Sequence, residues 1–290
     1  MYICDVYQSS LCYSCQRHSN NSISIFIDEE LLTVYLFCGY NQRFFEIKPI
    51  HTFAKEYLLS WFPKLPSYKT FNKRLNMLSE AFKGLLGIMA ASFRLTGCDP
   101  LVSLADSMPI AACRGKNRTG KVARKIADEE YYSTKNMYYY GVKLHVAGYR
   151  RQNSIPYPEM IVVTPASEND LTVFKRECAG SMTGKTVFGD KIYADSTFFN
   201  ETSTIQMLTP CKVVKGEPEG IKKMEKAVKD LYSQAVSRLR QPIEAFFNWL
   251  NEKTEIQRTC KVRTTKGLLV HIFGKLAIAM LIFIFYKRNQ

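Results

Sequence analysis

Three acidic residues in this chain stand where side chains could share a divalent cation. Asp106 follows the apolar run 101–105, and Asp190 follows a shorter apolar run at 187–188. Glu244 lies in a helical segment rich in aromatic residues. Functional side chains of open α/β sheets gather at the carboxyl ends of strands. Three carboxylates gathered there repel one another unless a cation neutralises them.

A cluster of this kind supports metal-dependent chemistry on phosphodiesters. Hard carboxylate oxygens suit Mg²⁺ or Mn²⁺. Two such ions, roughly 3.5–4 Å apart, can assist both the attacking and the leaving oxygen of a phosphodiester. The alternative for each acid is a helix cap or a solvated turn, and the spacing alone leaves that alternative open.

The charge of the chain indicates a polyanionic partner. The 290 residues include 40 Lys and Arg against 26 Asp and Glu, a formal charge of +14. DNA, RNA and an acidic membrane surface all fit this excess, and so does a basic but otherwise ordinary soluble protein. With 46% hydrophobic residues the chain is not disordered, and it has no repeat typical of collagen or coiled coils.

The nine cysteines do not form the pattern of a disulfide framework, because their number is odd and they are scattered. The segment Met1–Ser10 lacks the features of a signal peptide, so we expect a cytoplasmic protein. Cys12 and Cys15, with Cys4 and His18 nearby, could bind zinc. A single CxxC pair is a weak signal, and we do not expect a zinc site.

The apolar C-terminal segment Leu268–Tyr286 is a candidate for a membrane-spanning helix. His271 and Lys275 interrupt it, leaving an unbroken run only at 276–286. A spanning helix needs about 18 or more apolar residues. We therefore expect a buried core helix and no membrane partner.

The elements before residue 97 are predicted to be mainly helical. Residues 1–25 are polar and are expected to be irregular, whereas helical periodicity extends from Glu29 to Arg94. Ser67 is predicted to be the N-cap of a helix with inner and outer faces. The inner face contains Phe71, Leu75 and Leu78; the outer face contains Lys69, Lys73 and Arg74. Both a DNA-binding segment and a plain helical bundle fit this pattern.

After the turn at 97–100, the pattern predicts a mixed sheet flanked by helices. The predicted strands are 101–105, 138–149, 160–164, 186–188 and 206–208. Helices are predicted to begin with Asp170 as a cap, near 196–202, and over 222–251, where Pro242 should kink or interrupt the helix. We therefore divide the chain into a helical segment (1–96), a candidate for DNA binding, and an α/β domain (97–290) that contains the three acids.

Several basic residues are candidate phosphate ligands. Lys143 and His145 share one face of a predicted strand, where His145 fits a core residue slightly better than a functional one. Lys191 follows Asp190 and could contact DNA or pack against the next helix. The segment 107–127 is predicted to be a flexible loop that follows Asp106 and contacts phosphates. Its six basic residues are Arg114, Lys116, Arg118, Lys121, Arg124 and Lys125.

Five strings in the chain occur together, in order, in one family. They are LADSMP at 104–109, YYGVKLH at 139–145, TPASEND at 164–170, FGDKIY at 188–193 and RQPIEAFF at 240–247. Through them the chain resembles insertion-sequence transposases of the DDE class, and most of all the insertion-sequence nine-eighty-two group. The resemblance covers about residues 60–280 and implies an RNase H-like catalytic domain.

The resemblance implies that Asp106, Asp190 and Glu244 are the catalytic triad and the ligands of two Mg²⁺ or Mn²⁺ ions. Arg240 matches the arginine of a signature, Tyr-x-x-Arg-x-x-x-Glu followed seven residues later by Lys, in related transposases. The tyrosine position holds Ser237 and the lysine position holds Asn251, so the chain departs from the signature there. Arg240 is accordingly a candidate DNA ligand.

The activity implied by the resemblance is cut-and-paste transposition. Water first cleaves one strand at the end of the element, and the freed 3′-hydroxyl then attacks target DNA. The implied partners are double-stranded DNA, as terminal inverted repeats and target, and further copies of the chain in the DNA complex. Two alternatives remain at this point: an RNase H-like nuclease or resolvase that does not join DNA, and an inactive DNA-binding remnant.

Overall fold

The computed structural model describes residues 2–15, 24–94, 96–114, 121–132, 136–202, 204–212, 219–259 and 262–285. The chain forms two compact units. The first contains 1–93, 111–127 and 250–290, and the second contains 94–110 and 128–249. The functional division between 1–96 and 97–290 assigns DNA binding and catalysis to parts of the sequence, and it stays a prediction.

The first unit is mainly helical. Its helices are α1 (Tyr2–Val6), α2 (Cys12–Ser14), α3 (Asp28–Asn41), α4 (Ile47–Tyr57), α5 (Tyr68–Leu75), α6 (Ser79–Ser92) and α9 (Thr265–Phe285). The expected helical region up to residue 94 is confirmed. The expectation of an irregular N-terminus was wrong over 2–15, where helical turns bury Val6, Leu11 and Cys15.

Helix α5 has the predicted inner face, with Phe71, Leu75 and Leu78 buried. Ser67 is its N-cap residue, but the Ser67 hydroxyl bonds the Thr70 hydroxyl and not the helix backbone. Arg74 was wrongly predicted to lie outside: it is buried, and its guanidinium donates to Asp28 Oδ1 at 2.6 Å. A partner 46 residues away in sequence explains this buried charge.

Helix α9 is the buried core helix that its interrupted apolar pattern predicts. It is long and apolar enough to cross a membrane, yet 78% of its most apolar window is buried in the protein. It packs closely against α3, since a Cβ at Gly39 would come within 2.2 Å of Ile278 Cδ1. Burial of this kind is that of a core helix.

The second unit contains the mixed sheet. The strands are β1 (Cys98–Arg114), β2 (Asp128–Tyr132), β3 (Met137–Arg151), β4 (Tyr157–Pro165), β5 (Thr186–Phe188) and β6 (Gln206–Leu208). The order is β2-β3-β1-β5-β6, and β4 also pairs with β3. Pairs β2–β3 and β3–β4 are antiparallel, whereas β1–β5 and β5–β6 are parallel. This mixed sheet with its helices confirms the predicted RNase H-like fold class.

Strand β1 is the main correction to the predicted elements. It does not end at Asp106 but continues to Arg114, because apolar residues keep alternating into the core, with Met108 and Ile110 buried. The predicted loop therefore does not follow Asp106 directly. The strand β2, over Asp128–Tyr132, was not predicted.

The remaining helices lie between and after the strands. Helix α7 (Asp170–Val173) is capped by Asn169, whose side chain accepts from the N–H groups of Leu171 and Thr172, and not by Asp170. Short helical turns follow at Phe174–Cys178, Ala179–Ser181, Lys191–Tyr193 and Phe198–Thr202. Helix α8 (Glu219–Thr254) continues through Pro242, so of the expected kink or interruption, the interruption was wrong.

Candidate active site

The register of two parallel strands places Asp106 and Asp190 at matching positions. Strand β1 pairs with β5 so that Leu104 lies opposite Phe188. Asp106 lies two residues after Leu104, and Asp190 lies two residues after Phe188. The sheet therefore brings the two aspartates together, as the strand-end argument predicts for Asp190. Asp106 lies beside it in the sheet, although Asp106 is in the interior of its strand and not at the end.

The turn that carries Asp190 has no room for a side chain at position 189, the residue before Asp190. A Cβ at Gly189 would come within 2.9 Å of the Tyr193 ring, which is buried in the core of the second unit. Asp190 then begins the helical turn Lys191–Tyr193, and its Oδ1 accepts from the Lys191 N–H at 2.7 Å. Packing of Tyr193 thus fixes the backbone from which the exposed Asp190 side chain projects.

Glu244 lies on the outer side of α8. Ile243, Phe246 and Leu250 are buried and hold this part of the helix in place. The Glu244 side chain keeps 51% of its surface exposed. The amphipathic pattern of α8 therefore positions Glu244 facing solvent, whereas the Asp106 side chain is only 20% exposed.

Arg240 joins the first and third acids. Its Nη1 donates to Asp106 Oδ2 at 2.8 Å, and its Nη2 donates to Glu244 Oε1 one helical turn further along α8. The Arg240 side chain is only 14% exposed. Its planar guanidinium thus holds two carboxylates at once, which the resemblance did not specify.

Burial raises the pKa of Asp106 to about 6, against the opposing effect of Arg240, which lowers it. The Ser107 N–H, which donates to Asp106 Oδ1 at 2.8 Å, lowers the pKa too. The charges of Asp190 and Glu244 raise it further. The three acids therefore act on one another, and excess negative charge accumulates at Asp106.

The donor set fits a hard divalent cation. All three side chains offer carboxylate oxygens, which Mg²⁺ and Mn²⁺ prefer. The guanidinium of Arg240 already takes the place of a cation between Asp106 and Glu244. No group of three or more His, Cys, Asp or Glu among the described residues is close enough to hold a metal ion as the side chains lie. Asp106, Asp190 and Glu244 would therefore hold an ion only with their carboxylates closer together than they lie here.

Lys143 was predicted to contact phosphate, and the structure does not present it for that role. Its side chain is buried. Its Nζ donates to Glu130 Oε1 at 2.9 Å, to Asp170 Oδ1 at 3.1 Å and to the Glu168 carbonyl at 2.9 Å. Three acceptors use the three donors of the ammonium group, so Lys143 is a structural residue in this arrangement.

The hydrogen bonds of Lys143 extend through Asp170 to Ser107, the residue next to Asp106. Ser107 donates its hydroxyl to Asp170 Oδ2 at 2.8 Å, so the carboxylate of Asp170 links β1 to Lys143 in β3. Sequence reasoning missed Ser107, Asp170 and Glu130, although the strings that carry the resemblance contain the first two. His145 is buried beside them, where its Nε2 bonds the Thr164 hydroxyl at 2.8 Å, as a core histidine would.

Among the described residues, no contact between side chains joins the other candidate DNA ligands to the three acids. Lys191 is exposed next to Asp190. Lys121, Arg124 and Lys125 are exposed in a turn of the first unit. Arg114 is the last residue of β1, its side chain lies outside what the structure describes, and Lys116 and Arg118 lie outside the described residues. His18, a candidate zinc ligand with Cys4, Cys12 and Cys15, lies outside them too.

The mixed sheet of the second unit, of RNase H-like fold class, has two aspartates at matching strand positions, and a glutamate lies on a later helix. A comparison with protein families matches residues 97–281 to the transposase DDE domain. The match covers more than half of the chain, so the chain belongs to the transposase DDE domain family. Comparisons with curated proteins and with solved structures found no significant match. Assignment to the nine-eighty-two group stays a prediction.

Proposed function

We propose that this transposase moves an insertion sequence by cutting and pasting DNA. It cleaves DNA at the ends of the element and joins the freed 3′-ends to target DNA. The observation that carries the proposal is the Arg240 bridge, which ties Asp106 to Glu244 while the strand register places Asp190 beside Asp106. Arg240 lies 134 residues from Asp106 in sequence, so its bridge brings acids from distant parts of the chain together, as a triad for one reaction requires.

Asp106, Asp190 and Glu244 would hold two Mg²⁺ or Mn²⁺ ions. When bound, the ions supply Lewis acidity for both phosphodiester steps. The carboxylates bind the cations, and the partial burial of Asp106 strengthens the attraction because water screens it less. The same three side chains serve cleavage and joining, so no covalent enzyme intermediate is required.

Arg240 acts as a positioning residue in this proposal. Without DNA its guanidinium pairs with both Asp106 and Glu244 and offsets part of their negative charge. The planar fork of a guanidinium also matches the geometry of a phosphate group, so Arg240 would be able to bind a DNA phosphate beside the acids that it positions.

The formal charge of +14 attracts DNA, the polyanionic partner in this proposal. We assign phosphate contacts to Lys191, which is exposed next to Asp190, and to the exposed turn with Lys121, Arg124 and Lys125. Segment 1–96 is assigned to recognition of the terminal repeats, and its exposed Lys69 and Lys73 on α5 are available for that role. Several copies would assemble with the DNA, in the cytoplasm.

Strand transfer by the full chain tests the proposal. The substrate is a duplex with the terminal repeat of the element, either intact or with its 3′-end already cleaved, together with plasmid target. With Mg²⁺ we expect nicking of the intact end and joining of both substrates, and excess chelator should stop both reactions. Nicking without joining of the pre-cleaved end would indicate a nuclease instead. Neither activity with any divalent metal would indicate a DNA-binding remnant.

A further inference from the structure

A cavity in the first unit has a charge and a lining that the proposed catalysis does not use. Its volume is about 310 Å³. The wall is formed by α3, the start of α4, α5, the segment after α8 and the start of α9. The volume lies at the lower end of the range, about 300–1,000 Å³, of sites that bind small molecules. It exceeds what a few water molecules fill.

The lining of this cavity is positively charged. Four basic residues line it: Lys48, Arg258, Arg263 and Lys275. Two carboxylates, Glu46 and Glu255, oppose them. His271 adds no charge near neutral pH, because burial lowers its pKa to about 3. The balance of the lining is positive by two charges, so the cavity favours an anion.

The basic side chains are of two kinds. Lys48, Arg258 and Arg263 are exposed, and within the described part of the chain none of them forms an ion pair. Lys275 is only 3% exposed, donates to the Glu255 carbonyl at 3.1 Å and lies 5.5 Å from the centre of the Phe45 ring. A buried ammonium in a cavity wall is stabilised by an anionic occupant.

Two helices begin at this cavity. Ile47 and Lys48 open α4, and Thr264 and Gly267 lie at the start of α9. The N-terminus of a helix carries a partial positive charge from its unpaired N–H groups. The N-cap residue of α4, Glu46, provides no side-chain cap. At α9 the Gly267 N–H donates to the Thr264 hydroxyl at 3.0 Å, and the other N–H groups in the first turns of both helices add to the positive potential of the basic side chains.

The rest of the wall suits a nucleobase. Phe45 and Tyr68 supply aromatic surface, and the Tyr68 side chain is 41% exposed. Asn72 and Asn76, in α5 and just after it, supply amide groups, although Asn76 Nδ2 already donates to Asn72 Oδ1 at 3.0 Å. Aromatic faces stack with bases of any sequence, and amides can bond the edge of a base. A bare phosphate would use only the basic part of this wall.

We propose that this cavity binds one nucleotide unit, with its phosphate ester at Lys48, Arg258 and Arg263 and its base against Phe45 and Tyr68. The nucleotide is either free or an unpaired residue of a DNA strand, since both offer the same phosphate and base. The proposal does not depend on the catalytic one, because it concerns other residues and requires no metal.

Calorimetric titration of the full chain in chelator tests this site. The ligands are thymidine 5′-monophosphate, single-stranded tetrathymidylate and inorganic phosphate. The double variant Lys48→Ala/Arg263→Ala removes two cavity charges. The control Lys55→Ala/Lys266→Ala removes two exposed charges from α4 and α9 outside the cavity. Both variants have the same net charge, so non-specific attraction falls equally.

We expect the cavity variant to bind at least one nucleotide ligand tenfold or more weakly than the control does. Tyr68→Ala should weaken nucleotide binding about fivefold or more because the stacking surface is removed, without changing phosphate binding. Binding of the monophosphate indicates a free nucleotide, and binding of the tetranucleotide alone indicates DNA. Equal losses in the two double variants, phosphate binding as tight as nucleotide binding, or no binding at all would overturn the proposal.

Discussion

Replacing Arg240 with lysine tests whether the guanidinium fork matters at the candidate active site. The arginine spans Asp106 and Glu244 with two separate nitrogens. Lysine keeps the positive charge, but its ammonium is a single point that cannot hold both carboxylates in one plane. Arg240→Lys therefore isolates geometry from charge.

The expected loss follows from the two bonds that Arg240 makes. A hydrogen bond to a charged group contributes about 1.5–3 kcal/mol. Glu244 is 51% exposed, so water replaces part of its bond, whereas Asp106 is 20% exposed. We take the lower end, about 1.5 kcal/mol, for losing the bond to Glu244, which lowers the rate about tenfold.

The assay is single-turnover joining of a pre-cleaved terminal repeat, with thermal unfolding as a check on folding. Arg238→Lys is the matched control, because Arg238 is exposed on the same helix two residues earlier. We expect the control to join at the wild-type rate and Arg240→Lys to join at least tenfold more slowly. A wild-type rate for Arg240→Lys would show that Arg240 forms only a surface ion pair.

Neutralising the basic residues in the turn at 121–125 should weaken DNA binding similarly on all sequences. The slope of log affinity against log salt should flatten by roughly one unit for each phosphate that is no longer bound. An unchanged slope would show that these side chains are only solvated. Gly189→Ala should lower the free energy of unfolding by about 1–3 kcal/mol in urea, because its Cβ meets the Tyr193 ring, whereas Gly87→Ala meets nothing and should not destabilise. Burial lowers the pKa of His145 to about 4, so the unfolded state binds more protons below pH about 6.5. The free energy of unfolding should therefore fall as pH drops from about 6.5 to about 4, and His145→Gln should reduce that fall by about 2–3 kcal/mol; equal slopes would contradict the argument.

The sequence predicted best what depends on local pattern. Strands β5 and β6 have their predicted bounds, because short apolar runs end at turn residues there. The core helix at the C-terminus was predicted from its charged interruptions. The pairing of Asp106 with Asp190 was harder, since their meeting depends on the register of β1 and β5, which local pattern does not encode.

The errors arose where distant partners decide the outcome. Arg74 was predicted on the outer face of a helix and Lys143 was predicted to contact phosphate, but both are buried and paired with acids 46 and 27 residues away. Strand β1 looks finished at Asp106, yet the core of the sheet extends it to Arg114. The contacts of Arg240 could be half predicted: Glu244, four residues later, follows from helical spacing, whereas Asp106 does not.

The account depends most on Asp106, Asp190 and Glu244 acting as one metal-binding site. Its most direct test is the joining of pre-cleaved ends in Mg²⁺ by Asp106→Asn, Asp190→Asn and Glu244→Gln. Each substitution keeps the shape of the side chain and removes one ligand charge. We expect all three to unfold at temperatures close to wild type and to show no detectable joining. Joining at a rate near wild type by any one of them would remove that residue from the site and contradict the account.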